Sequence, residues 1–165
     1  MTVVVYASKN GSTKRYAKKM ARELKLELYE YSEYKDEGDD IIYFGAVYNE
    51  KVLGLDDFLD KHSGKIKSFH LITVGLLDLN IRSNALEYED MLKNIRFRYN
   101  LDFRHDHLKG AIDYSKLSFI DKLMIKYKIS KTDNANRKLA FALTYNKWVD
   151  YSDANVLKMI VQNLI

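Results

Sequence analysis

The chain has 165 residues, 47% of them hydrophobic and 13% aromatic, with 27 Lys+Arg against 23 Asp+Glu and a formal charge of +4. It holds no cysteine and no proline, which excludes disulfide scaffolds, cysteine-ligated metals, thiol catalysis and cis-proline turns. The composition is that of a single globular domain and is too apolar for a disordered chain.

Thr2 to Ala7 is a short β-branched run that predicts a buried strand feeding the loop Ser8-Lys9-Asn10-Gly11-Ser12-Thr13. Ser12 to Leu24 has helical spacing. Tyr16, Ala17, Met20, Ala21 and Leu24 share one face, and Lys14, Arg15, Lys18, Lys19 and Arg22 lie mostly on the other. Leu26 to Tyr31 alternates and reads as a second strand. The acidic residues Glu33, Asp36, Glu37, Asp39 and Asp40 around Gly38 read as a solvated turn. A third strand, Ile41 to Phe44, ends at Gly45. Leu55 to His62 predicts a short helix with Phe58 and Leu59 inward. Phe69 to Val74 is a fourth strand, ending at Gly75. Ser83 to Ile95 is helical, with Ser83 as N-cap and Leu86, Met91, Leu92 and Ile95 as apolar positions. A fifth strand centres on Leu108 to Ile112. The tail ends in a helix with Val156, Leu157, Ile160, Val161 and Leu164 at helical spacing.

Strands alternating with helices imply a parallel sheet covered on both faces, in one domain over residues 1–165. The basic character is local. Ser115 to Lys138 holds seven basic and two acidic residues, more net charge than the whole chain carries. Within this segment Ser118 to Ile129 reads as an inserted amphipathic helix. Phe119, Ile120, Leu123, Met124 and Tyr127 recur at helical spacing beside Lys122, Lys126 and Lys128. Such a helix lies at a membrane surface, covers a site for anionic substrates, or packs its apolar face on the sheet. No apolar run nears the roughly 20 residues of a membrane-spanning helix, and the first residues lack the features of a secretion signal. A cytoplasmic location is expected.

In open α/β sheets ligands bind at the carboxyl ends of the strands. Three such ends carry chemistry. Ser8 to Thr13 brings hydroxyls and backbone N–H groups to a helix N-terminus, and Gly11 lets the backbone curl. That is an anion site or simply a helix cap. The pattern is neither Walker A nor the dinucleotide Gly-x-Gly-x-x-Gly, and a monophosphate suits it better than a triphosphate. After Gly45 come Ala46, Val47, Tyr48 and Asn49; after Gly75 come Leu76 and Leu77. Each loop offers an apolar or aromatic wall with peptide groups beside it, as a planar heterocycle needs. Taken singly, Tyr48, Leu76 and Leu77 also read as core residues at strand ends.

Thr2 to Thr13, a strand followed by Ser-x-Asn-Gly-Ser-Thr, resembles the phosphate loop of flavodoxins. The whole chain is similar to the flavodoxin-like branch that includes the menaquinone-dependent protoporphyrinogen dehydrogenases. Four stretches carry that similarity: Asp40 to Ala46, Phe58 to His62, Gly110 to Tyr114 and Ile120 to Lys126. The resemblance implies a flavodoxin-like three-layer α/β sandwich with a five-stranded parallel sheet in the order 2-1-3-4-5. It implies FMN at the strand ends, its phosphate on Ser8, Lys9, Asn10, Gly11, Ser12 and Thr13. The isoalloxazine would lie between Ala46, Val47, Tyr48 and Asn49 on one side and Gly75, Leu76 and Leu77 on the other. The cofactor would carry the redox chemistry, so the resemblance names no catalytic side chain. The implied activity is an FMN-dependent oxidoreductase, like protoporphyrinogen dehydrogenase with a quinone acceptor. Its partners would be a redox partner or an anionic small molecule, with a peripheral membrane or quinone contact through the basic helix. The alternative is a soluble flavodoxin-type electron carrier with no substrate of its own. The loop after Gly45 lacks the basic residue and glycine expected immediately after the strand in that branch, and the loop after Gly75 lacks its basic run, with Arg82 as that loop's only positive residue.

His105-Asp106-His107 puts two histidines on one face of a strand, but no third metal ligand stands out, and an exposed strand start is the plainer reading. His62 and His70 look isolated. No Gly-x-Ser-x-Gly elbow exists to serve a hydrolase. The basic residues gather on one helix with few flanking aromatics, a distribution that argues against nucleic acid as a partner.

Overall fold

The N-terminal β-branched run forms β1 (Thr2–Ala7), which lies inside a parallel sheet between β2 (Glu27–Glu30) and β3 (Asp40–Tyr48). Beyond β3 come β5 (Ser68–Gly75) and β6 (Arg104–Lys109), giving the order β2-β1-β3-β5-β6. Counted without the short β4 (Lys51–Val52), this is the expected five-stranded order. β4 pairs antiparallel with the end of β3. The computed structural model describes residues 1–9, 11–48, 50–113, 148–150 and 152–164, with Phe119, Lys122, Leu123, Lys126, Tyr127 and Ser130.

Alternation along the strands builds two cores. Val3, Val5, Tyr43 and Leu71 face α2 (Leu55–His62) and α3 (Arg82–Tyr99), which contribute Phe58, Leu59, Met91 and Leu92. Val4, Tyr6, Ile42, Phe44 and Ile72 face α1 (Ser12–Leu24) and the last helix, α4 (Ala154–Gln162), whose Met20, Leu157 and Ile160 meet them. Each fully buried aliphatic side chain of this kind is worth about 1.5–3 kcal/mol. β1, β3 and β5 are therefore apolar on both faces, as strands covered twice must be. The Tyr16 hydroxyl donates to the Lys109 carbonyl at 2.8 Å and accepts from the Asp153 N–H at 2.7 Å. One phenol thus ties α1 to the end of β6 and to the start of α4. Asp153 also caps α4, its side chain accepting from the Asn155 N–H at 2.7 Å.

Several expectations change. β3 does not stop at Gly45 but runs on to Tyr48, so Ala46, Val47 and Tyr48 are strand residues in a hairpin with β4. Gly45 is needed for packing inside that strand: a Cβ there would lie 2.1 Å from Val52 Cγ1. Ser83 lies inside α3, which begins at Arg82 with Ile81 as its N-cap and no side-chain cap bond. Leu86 and Val156 fall at apolar spacing yet are 57% and 39% exposed, because the sheet covers only part of each helix. The acidic turn is anchored by Tyr34, a buried ring whose hydroxyl donates to the Gly38 carbonyl at 2.5 Å.

The expected fifth strand breaks at Gly110. β6 stays in the sheet, while β7 (Ala111–Asp113) leaves it to pair antiparallel with β8 (Trp148–Asp150). Gly110 is buried against Val74, and a Cβ there would lie 3.2 Å from that side chain. The β7–β8 ribbon brackets the basic segment. Most of the expected helix Ser118 to Ile129 lies outside the described residues. Those that are described, Phe119, Lys122, Leu123, Lys126 and Tyr127, are helical and exposed. Among the described residues no helix is long and apolar enough to cross a membrane.

Candidate functional site

Parallel register brings the carboxyl ends of β1, β3 and β5 level. Ala7 pairs with Gly45, Ala46 with Val74, and Gly75 with Lys109. The three loops singled out by sequence leave the sheet at this end.

After β1 the chain turns through Gly11, which precedes α1 at a φ of 89°, left-handed backbone that favours glycine. The Gly11 N–H donates to Ser8 Oγ at 3.1 Å, and its carbonyl accepts from the Arg15 N–H at 3.0 Å. Among the described residues no side chain caps the helix, and its first turn holds no acidic residue. The first N–H groups of a helix have no partner within it, and the helix dipole favours negative charge there. A Cβ on Gly11 would meet nothing within 4 Å. Ser12 and Thr13 are buried, Thr13 almost completely. Lys9 is exposed and its ammonium lies 5.9 Å from the centre of the Tyr48 ring, joining the first loop to the hairpin. Asn10 and Asn49 lie outside the described residues.

In the hairpin, Val47 pairs with Val52 and Tyr48 with Lys51, and the turn passes through Glu50 at a φ of 61°. Val47 packs against the core on the α2 and α3 side, as does Leu77 from the third loop. Tyr48 and Leu76 are half-buried and belong to neither core cluster. Tyr48 and Leu76 thus stand beside the strand ends outside the packed cores. Leu77 serves partly as packing, and Ala46 is buried inside the strand.

The loop Gly75–Asn80 is gripped through its carbonyl oxygens. The Gly110 N–H donates to the Gly75 carbonyl at 2.9 Å. His107 Nε2 lies 3.1 Å from the Leu77 carbonyl, and Asn84 Nδ2 donates to the Asp78 carbonyl at 3.0 Å. In a trans peptide the N–H points opposite the C=O. The N–H groups of Leu76, Asp78 and Leu79 therefore point away from β6 and α3. The Asp78 carboxylate accepts from the Asn80 N–H at 3.1 Å and lies 3.8 Å from Lys109 Nζ. The Asn80 amide first, then Lys109, hold its carboxyl below the usual carboxylate range.

Behind this loop is a polar network that sequence reasoning missed. Thr73 Oγ1 lies 2.8 Å from the Tyr88 hydroxyl and 2.9 Å from His107 Nδ1. Burial pushes the Tyr88 phenol up to about 12 and lowers the His107 value from that of a free histidine. His105 and His107 do share a face of β6, as alternation requires, and both rings lie near Tyr88, at 6.0 and 5.4 Å between centres. His107 is committed to the loop, and His105 lies 3.7 Å from Glu89. Of the two isolated histidines, His62 faces Asp36 at 2.6 Å and His70 faces Asp106 at 2.7 Å. A single strand pattern signals the shared face but not its partners on β5 and α3.

A cavity of about 710 Å³ opens at the other end of the sheet, lined by Thr2, Asp40, Ser68, His70, Arg104 and Leu164 among others. It lies at the amino ends of the strands, away from the three loops.

No curated protein matches the sequence. Among solved structures, a "putative flavoprotein" from Bacteroides uniformis ATCC 8492 is 16% identical, covering 73% of this chain and 97% of its own, with a TM-score of 0.44. A single-site variant of a flavodoxin from Pseudomonas aeruginosa is 12% identical over 86% of this chain and 99% of its own, with a TM-score of 0.41. The family assignment rests on the sequence. Residues 3–138, which include all three loops, match the flavodoxin domain, and the chain belongs to that family.

Proposed function

We propose that this chain binds FMN at the carboxyl ends of β1, β3 and β5 and acts as a flavodoxin-type oxidoreductase. Family membership implies a flavin, and the observation that carries the choice of FMN is the start of α1. There Gly11 curls the backbone, and the first turn carries hydroxyls and no acid, with no cap from a side chain among the described residues. Such an end suits one phosphate monoester held by N–H groups and hydroxyls. When bound, FMN supplies the electron or hydride transfer. The chain's own work is binding and orientation. Ser8, Lys9, Asn10, Gly11, Ser12 and Thr13 would hold the phosphate. Tyr48 and Leu76 would flank the ring, with Ala46, Val47, Asn49, Gly75 and Leu77 shaping the two walls.

The partner is proposed to be a redox partner or an anionic small molecule reached across the basic segment. Phe119, Leu123 and Tyr127 are exposed there, with Lys122 and Lys126 among them. A porphyrinogen substrate with a quinone acceptor is the narrower form of this reading, and it is supported by the sequence similarity of four stretches, most specifically Ile120 to Lys126.

Titration with FMN, followed by quenching of flavin fluorescence, tests the cofactor. A dissociation constant at or below about 1 μM is expected, near −8 kcal/mol. No binding at tens of micromolar, weaker than about −6 kcal/mol, overturns the proposal. Turnover of a porphyrinogen with a quinone then separates an enzyme from a carrier that exchanges electrons only with a protein partner.

A further inference from the structure

We propose that His107 is the positioning residue of the Gly75–Asn80 loop, and that its Nε2–H on the Leu77 carbonyl sets the shape of that flavin wall from β6. This role toward the flavin rests on the function proposed above; the hold on the loop itself does not.

Hydrogen-bond chemistry fixes the direction of the contact. A carbonyl only accepts, so the His107 nitrogen 3.1 Å from Leu77 carries the proton. In the neutral ring Nδ1 is then a lone pair, and Thr73 Oγ1 at 2.9 Å is placed to donate to it. The Tyr88 hydroxyl, 2.8 Å from the same oxygen, completes the line by donating to Thr73. The Asp106 carbonyl, 3.2 Å from Thr73 Oγ1, offers the threonine proton a second acceptor. The ring is therefore held from behind as the Nε2–H tautomer while it holds the loop in front.

The surroundings favour the neutral ring. Burial is the largest influence on His107, and Lys109 on the same strand acts in the same direction. The Leu77 carbonyl and Asp78, both in the loop, act against them. From α3 comes the Tyr88 ring, 5.4 Å away. His105, two positions along, faces the same way, with Arg96 3.3 Å and Glu89 3.7 Å from its ring nitrogens.

Of the loop's three gripped carbonyls, that of Gly75 is bound by backbone and that of Asp78 by a helix side chain. Leu77 alone is gripped by a side chain of the sheet, and its neighbour Leu76 is the proposed wall. A change at His107 thus acts on the middle of the loop.

The test uses nitrogen NMR and amide exchange on the full chain, first without FMN. In the unmodified protein at pH 8 the His107 proton is expected on Nε2. A proton on Nδ1 overturns the proposal without recourse to any variant. His107→Gln reaches as far as Nε2 and keeps a donor for Leu77, whereas His107→Asn reaches only as far as Nδ1. Exchange at Asn80 and Ile81, whose N–H groups bond to Asp78, should accelerate on the order of tenfold in the Asn variant and stay near normal in the Gln variant. Equal exchange in the two variants overturns the hold. FMN affinity should fall about fivefold or more in the Asn variant relative to the Gln variant, the effect of losing one hydrogen bond. If the tautomer and exchange results hold while FMN fails to bind the unmodified protein, the flavin reading fails and the latch stands. If FMN binds and the variants exchange alike, the latch fails and the flavin reading stands.

Discussion

At the end of β1 the chain turns through a glycine at a φ of 89°, and the Gly11 N–H donates locally to Ser8 Oγ. At the end of β5 the turn is held through three carbonyls by Gly110, His107 and Asn84, residues of other elements. The first loop turns on residues close in sequence, a glycine and a serine three positions apart. The second loop, Gly75-Leu76-Leu77-Asp78-Leu79-Asn80, takes its geometry from partners up to 35 positions away. A local change should therefore alter ligand binding at the first loop without touching stability. A change in the network behind the second should alter both.

The largest expected effect breaks the first loop alone. Ser8→Asp keeps an acceptor for the Gly11 N–H and adds negative charge beside the start of α1. A charge about 5 Å from a phosphate at an effective dielectric near 20 costs about 3 kcal/mol. FMN affinity should fall roughly 100-fold. Thermal melting should stay level or rise slightly, because the helix dipole welcomes an acid at that end. A variant that binds FMN normally would reduce the loop to a helix cap.

Thr73→Val acts on the second loop from behind. It leaves the Tyr88 hydroxyl and His107 Nδ1 without their shared partner at nearly constant volume. Denaturant unfolding should show a loss of about 1–3 kcal/mol, the cost of stranding a buried polar group. FMN affinity should fall with it. If stability drops and affinity does not, the two loops are less coupled through the ligand than the wall reading requires.

Tyr48→Ala sharpens the comparison from the hairpin between them. Loss of one aromatic contact should weaken FMN binding by about 0.5–1.5 kcal/mol and shift the visible flavin spectrum. An unchanged spectrum would assign the ring contact to Leu76.

The smallest effect is on the pH dependence of folding. Burial holds the folded His107 below the ordinary histidine value, so the unfolded chain binds more protons as the pH falls. Stability is retained above about pH 6.5 and declines as the pH drops through the lowered folded value. Asp36, held low by Lys65 and His62, and Asp39, held low by Lys67 and the N-terminal amine, lose their contributions in a separate window below about pH 4. The difference between the unmodified protein and His107→Gln across pH 5–7 isolates the histidine. No difference there would place the ring in contact with water.

Much of the architecture was legible because it follows from periodicity. β1, β5, α1 and α2 form where the apolar pattern puts them, and the parallel sheet follows from alternating strands and helices, its order being the one the flavodoxin resemblance implies. What eluded the sequence reading depends on close approach between distant residues. Gly45 looked like a strand end, yet it lies inside β3 because Val52 from the returning hairpin crosses over it. Gly110 looked like the interior of a strand, yet it is the point where β7 peels away toward β8. Leu86 and Val156 fit an apolar stripe, but which part of a helix meets the sheet is set by how the helix lies on it.

The candidate site divides in the same way. The Ser8–Thr13 loop was readable because glycine at left-handed φ and hydroxyls at a helix start are properties of adjacent residues. The network of Thr73, Tyr88 and His107 was not, because its members come from β5, α3 and β6 and carry no shared spacing. The sequence by itself determined the alternation of strands and helices, the covered parallel sheet and the glycine turn before α1, consequences of local backbone preference and hydrophobic period, while the strand order came with the resemblance to flavodoxins. Only the tertiary structure decided which carbonyls of the Gly75–Asn80 loop turn inward and what grips them. Hydrogen bonds between elements become specific only once packing has set the elements at bonding distance.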